Sequence, residues 1–207
     1  MADIDNIEKQ SRILDFWFGD LKDGEVPPRE LSRMWWAKNP DIDEYIRKNF
    51  ENDLLDAVNG KLGNWESTPL GTLALIILLD QFPRNMYRDT PRAFSQDIPA
   101  LRIAEKGIEK GFDRGLHPVM RVFFYMPFMH SESRDMQERS TALFGALEND
   151  FSSPRELAEM LSDNMEYAER HRAIIERFGR FPHRNRILGR ESTTEEAEFL
   201  KQPGSSF

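Results

Sequence analysis

The residues of this chain best suited to chemistry form an internal echo. Gln81-Phe82-Pro83-Arg84-Asn85 closes a strongly apolar stretch, and Arg180-Phe181-Pro182-His183-Arg184-Asn185 follows a long amphipathic one. Proline drives the residue before it out of helical geometry, so both runs read as helix exits. An Arg-Asn pair just beyond such an exit has two uses. It can satisfy the last helix carbonyls and complement the dipole there, or it can present planar donors to a carboxylate or phosphate.

Helical spacing brings further polar residues toward the same regions. Leu73, Ile76, Ile77 and Asp80 share one face, so Asp80 is expected to be at least partly buried and to need a partner, with Arg84, Arg184 and His130 as candidates. His130 continues the Val119, Val122, Met126 stripe, and His171 falls between Ala168 and Ile175. A lone histidine on an apolar face is usually a satisfied core residue, but two of them with Asp80 and Glu132 read better as a polar pocket. The ligand-binding set expected from the sequence is therefore Asp80, Arg84, Asn85, His130, Glu132, His171, Arg184 and Asn185. If the pocket is catalytic, His130 or His171 is the general base, Glu132 or Asp80 orients it, and an arginine stabilises developing negative charge.

Other chemistries lack their patterns. Neither His-Glu-x-x-His nor Glu-x-x-His occurs, and His130-x-Glu132 points its two side chains apart on a helix, so no metal is expected. Ser131 sits beside His130 but in no Gly-x-Ser-x-Gly elbow, and reads as a helix cap. No glycine-rich phosphate loop or dinucleotide fingerprint is present, so no cofactor is expected.

The chain has 207 residues and no cysteine, which removes disulfides, thiolate metal sites and cysteine nucleophiles. Its net charge of −8 argues against general binding to nucleic acid or an anionic membrane. Within that acidic whole, residues 170–190 carry seven arginines against Glu176. Arginine favours bidentate binding of carboxylate or phosphate, while the plain alternative is a solvated helix end with scattered ion pairs. The acidic start, Met1 to Asp5, lacks the basic and apolar regions of a signal peptide, so the expected compartment is the cytoplasm.

The elements that must position these residues are helices throughout. Apolar residues repeat at three- and four-residue spacing, and strand alternation is nearly absent. Leu70 to Leu79 is apolar on every side and predicts a central helix that stops near Pro83. Asp97 is expected to cap a helix to Lys110, Asp41-x-x-Glu44 and Ser153-Pro154-Arg155-Glu156 have capping-box spacing, and Gly179 ends the long late helix. The aromatic run Phe123 to Phe128 reads as core. Trp35 and Trp36 are adjacent and cannot both face one core, so one lines a groove or is covered by a second copy of the chain.

Four segments in order carry a resemblance: Asp15-Phe16-Trp17-Phe18-Gly19; Leu79-Asp80-Gln81-Phe82-Pro83-Arg84-Asn85; Phe124-Tyr125-Met126-Pro127-Phe128-Met129-His130-Ser131-Glu132; and His171-x-x-x-Ile175-x-x-Phe178-Gly179-Arg180-Phe181-Pro182-His183-Arg184-Asn185. Across roughly Ile7 to Arg190 the sequence resembles the bacterial domain-of-unknown-function family numbered nine hundred and twenty-four. The resemblance implies an all-helical, tetratricopeptide-like fold and no particular activity. The expectation is one all-α domain over residues 1–207, antiparallel helical hairpins in a stacked array, with a flexible tail at about 202–207. Its expected role is a binding module whose arginine-lined pocket takes an anionic small molecule or a peptide carboxylate, with a small-molecule hydrolase as the alternative. A homo-oligomer through Trp35 and Trp36 is the third reading. Arg84→Ala is expected on this basis to weaken ligand binding while leaving the melt almost unchanged.

Overall fold

The most apolar stretch of the chain becomes its centre. In the computed structural model, which describes residues 2–22 and 24–206, the described residues form helices and no strands. Ten α-helices run α1 (Ala2–Phe18), α2 (Arg29–Trp36), α3 (Pro40–Val58), α4 (Pro69–Ile76), α5 (Phe82–Met86), α6 (Asp97–Glu109), α7 (Pro118–Met129), α8 (Arg134–Asp150), α9 (Arg155–Phe178) and α10 (Thr194–Phe199). None of them is long and apolar enough to cross a membrane.

Thr68 and Pro69 start α4: the Thr68 hydroxyl accepts from the Gly71 N–H at 3.1 Å, and Pro69 needs no donor in the first turn. Every residue of α4 from Gly71 to Ile76 is buried, and α1, α6 and α7 pack around it. Beyond Ile76 the helix widens into a π-turn, Ile77–Gln81, where the Phe82 N–H reaches back to the Ile77 carbonyl. The predicted stop at Pro83 does not occur. The wider turn shifts the hydrogen-bond register, Pro83 falls in the first turn of α5 where its missing N–H costs nothing, and the helix continues to Met86.

The aromatic core is built around this axis. Trp17 is 1% exposed and meets Phe82 and Phe123 edge-on, with ring centroids 5.6 Å away in both cases. Phe123 to Phe128 are all buried, as their run predicts. Trp35 is docked by a hydrogen bond from its indole N–H to the Trp17 carbonyl at 2.9 Å, whereas Trp36 is 57% exposed and stacks on Phe123. Gly107 on α6 lies against the same core. A Cβ there would come within 2.5 Å of the Phe124 ring, so Gly107→Ala is expected to cost roughly 1–3 kcal/mol through overpacking, read as a lower urea midpoint.

Several helix starts differ from their sequence reading. Asn39, not Asp41, caps α3, because its side chain accepts from the Asp41 and Ile42 N–H groups. Pro154 precedes α9 and Ser153 makes no cap. Among the described residues, a capping box is formed by Thr193 with Glu196, at the start of α10. Gly179 ends α9 as expected, with φ of 69° and its N–H bonded to the Ile175 carbonyl at 2.8 Å. In the C-terminal segment, Ser205 is buried and its hydroxyl donates to the Leu200 carbonyl.

Candidate functional site

Five elements deliver polar side chains to one end of the helical array. The π-turn supplies Asp80, α5 supplies Arg84, the first residue of α6 is Asp97, His130 follows the last turn of α7, and the loop after α9 supplies Arg184. Asp80 is wholly buried, because it continues the apolar face of α4 into the core. Its Oδ1 accepts from His130 Nδ1 at 2.8 Å and lies 3.3 Å from Arg84 Nη1, while Oδ2 accepts from Gln81 Nε2 at 2.5 Å. Burial alone would raise the Asp80 carboxyl; the charge of Arg84 and the bond from His130 overcome it and hold Asp80 ionised, well below the usual carboxylate range.

Ionised Asp80 can only accept, so His130 carries its proton on Nδ1 and its lone pair on Nε2. Nε2 has no hydrogen-bond partner among the described residues and is not sealed from solvent; the side chain keeps 16% of its surface. Burial and the nearby Arg84 charge push His130 below the ordinary imidazole value, against the pull of Asp80. Behind it lies His171, with ring centroids 6.4 Å apart. His171 is 5% exposed, its Nδ1 meets the Tyr167 carbonyl at 2.8 Å, and burial pushes it down to about 3.

Asp97 is the residue that sequence reasoning missed. It was expected to cap α6, but its side chain points elsewhere: Oδ1 accepts from Arg84 Nη1 at 2.9 Å and Oδ2 from Arg184 Nη1 at 3.1 Å. One carboxylate therefore joins the two arginines of the echoed motifs. Phe94 lies beside both guanidinium groups, 4.6 Å from the Arg184 carbon and 5.7 Å from that of Arg84. Arg184 is 6% exposed, and burial together with the charge of Arg84 pushes it down to about 10. Two guanidinium nitrogens, Arg84 Nη2 and Arg184 Nε, are buried donors with no acceptor among the described residues.

The remaining sequence candidates lie to the side of this cluster. Glu132 accepts from the Phe181 N–H at 2.8 Å and takes both terminal nitrogens of Arg190, so it ties the loop after α9 to the loop after α7. Asn185 is buried against Ser192 and Glu196. Asn85 donates to Asp43 on α3 and borders a surface cleft of about 270 Å³ that also includes Lys38, Arg47 and Arg88. The basic stretch at 170–190 is largely consumed by ion pairs: Arg170, Arg172, Arg177, Arg180, Arg184 and Arg190 each meet a carboxylate. No group of three or more metal-ligating side chains is found among the described residues.

The model of a family described as bacterial protein of unknown function, DUF924, matches residues 13–204. The chain belongs to this family. The solved structure of a protein of unknown function from Agrobacterium tumefaciens is 34% identical, covers 95% of this chain and 98% of its own, and superposes with a TM-score of 0.80. None of the curated proteins matches. Every residue of the cluster lies inside the span matched by the family, whose description assigns no reaction, so its chemistry here rests on the side chains of this chain.

Proposed function

We propose that the chain is a helical binding module, its hairpins stacked in a tetratricopeptide-like array, that works in the cytoplasm and holds a small oxyanion between Arg84 and Arg184. The ligand is a carboxylate or phosphate group on a small molecule or a peptide end. One observation carries this reading: two arginines bound to the same carboxylate each keep a buried nitrogen without an acceptor. Buried donors are nearly always bonded, and leaving them unmet is costly. The depressed value of Arg184 fits the same picture, since a further negative charge would relieve the repulsion between the two guanidinium groups.

The test is a thermal-shift series with acetate, phosphate, sulfate and short peptides. A hundredfold excess over Kd contributes about 2.7 kcal/mol, and at ~2–4 °C per kcal/mol the melting temperature should rise by roughly 5–10 °C. Arg184→Gln should abolish that rise. If the variant melts lower yet responds to the anions like wild type, the arginines are ion-pair partners only.

A second reading, a hydrolase acting on a small anionic substrate, is favoured by the Asp80–His130 hydrogen bond. His130 is then the general base and Asp80 its orienting partner, with the arginines stabilising developing negative charge. His171 suits that role less because it is sealed in the core, and Glu132 because Arg190 and the Phe181 N–H occupy both of its oxygens.

A further inference from the structure

The charges of the cluster cancel as it stands. Asp80 and Asp97 balance Arg84 and Arg184, Glu132 balances Arg190, and burial keeps His130, His171 and His183 neutral. An anion added at the arginines would leave an uncompensated negative charge in a low-dielectric site, which is unfavourable unless a proton accompanies it. The titratable and charged groups that act on His130 are Asp80 from the π-turn, Arg84 from α5, Asp97 from α6, His171 from α9 and His183 from the following loop.

Among these, one acceptor is set up to take that proton. His130 Nε2 carries a lone pair, belongs to a side chain that keeps 16% of its surface, and shares its ring with a nitrogen that already donates to a buried carboxylate, which would stabilise the imidazolium. His171 has a backbone carbonyl in place of the carboxylate and lies deeper. Resting on the oxyanion reading above, we propose that the anion bound between Arg84 and Arg184 draws one proton from solvent onto His130 Nε2, so that the site takes its ligand as an acid: an anion plus a proton. No covalent bond is made or broken; the imidazole gains the proton and the buffer loses it. The imidazolium then lies beside the bound ligand, the state from which a general acid acts.

Sulfate is the probe, because it does not itself titrate near neutral pH. Calorimetry of sulfate binding at about pH 6.5, in Bis-Tris and in imidazole buffers of different ionisation enthalpy, should show uptake approaching one proton per sulfate. Affinity should rise up to ~tenfold for each pH unit lowered between about pH 8 and 6.5. In His130→Gln, sulfate should still bind, with no proton uptake and no pH dependence; His171→Gln should retain both. Sulfate binding to wild type without proton uptake, or uptake that survives His130→Gln, overturns the proton linkage and leaves the oxyanion reading intact. Absence of sulfate binding to the wild type overturns both.

Discussion

Arg84→Ala should lower the stability of this protein by about 3–5 kcal/mol at neutral pH, seen as a large drop in the urea midpoint with an unchanged slope. Asp80 has no exposed surface and meets a single guanidinium group, that of Arg84, so the truncation leaves a buried, ionised carboxylate with only a neutral imidazole and an amide. Asp97 loses less, because it keeps Arg184 and part of its side chain is hydrated. Pairing Arg84→Ala with Asp80→Asn should recover much of the loss, since the second change removes the stranded charge. A melt unaltered by Arg84→Ala, the outcome expected from the sequence, would mean that Asp80 is not charged in the folded state. The structure reverses that expectation because Arg84 serves the fold before it serves any ligand, which is why Arg184→Gln is the sounder probe of binding.

Stability should also fall unusually early on acidification. His130, His171 and His183 are all held below the ordinary histidine value, chiefly by burial, with His171 at about 3 and His183 at about 4. Below about pH 6.5 the unfolded chain binds protons that the folded chain refuses, so the contribution of these histidines is complete above that value and is lost as pH falls toward the folded-state values. Each of His130 and His171 adds up to ~1.4 kcal/mol of destabilisation per pH unit in that window, and half-buried His183 adds less. Asp80 and Glu132, whose carboxyls are held below their usual range, follow the carboxylate rule: their contributions are present above about pH 4.5 and are lost only at lower pH. Urea midpoints at about pH 7.5, 6 and 5 separate the two limbs, since the first decline must precede carboxylate titration. A flat profile across that range would show that the histidines ionise freely in the folded state.

How much of this was legible in the sequence varies with the range of the interaction. The burial of Leu73 to Leu79, the place of His171 between Ala168 and Ile175 and the inward direction of Asp80 follow from helical spacing, which depends only on residues three or four apart. The helix starts at Asn39 and Pro154 were misread because several neighbouring side chains offer the same local cap, and the competition is settled by loop geometry. Asp97 was misread for a related reason. An aspartate at a helix start has an adequate local explanation, and nothing nearby shows that its partners lie 13 and 87 positions away. The passage of the helix through Pro83 depended on a π-turn, which has no sequence pattern of its own.

By itself, then, the sequence determined an all-helical chain with an apolar central segment, one arginine-bearing helix exit after Gly179 and two histidines on inward faces, because periodicity and glycine caps act locally. The tertiary structure alone decided which polar groups meet. It put Asp80 against His130, joined Arg84 and Arg184 through Asp97, and turned Glu132, Asn85 and Asn185 to other partners. Those pairings depend on how the ends of α5, α6, α7 and α9 converge, and that convergence is set by burial of the whole core, to which no single motif holds the key.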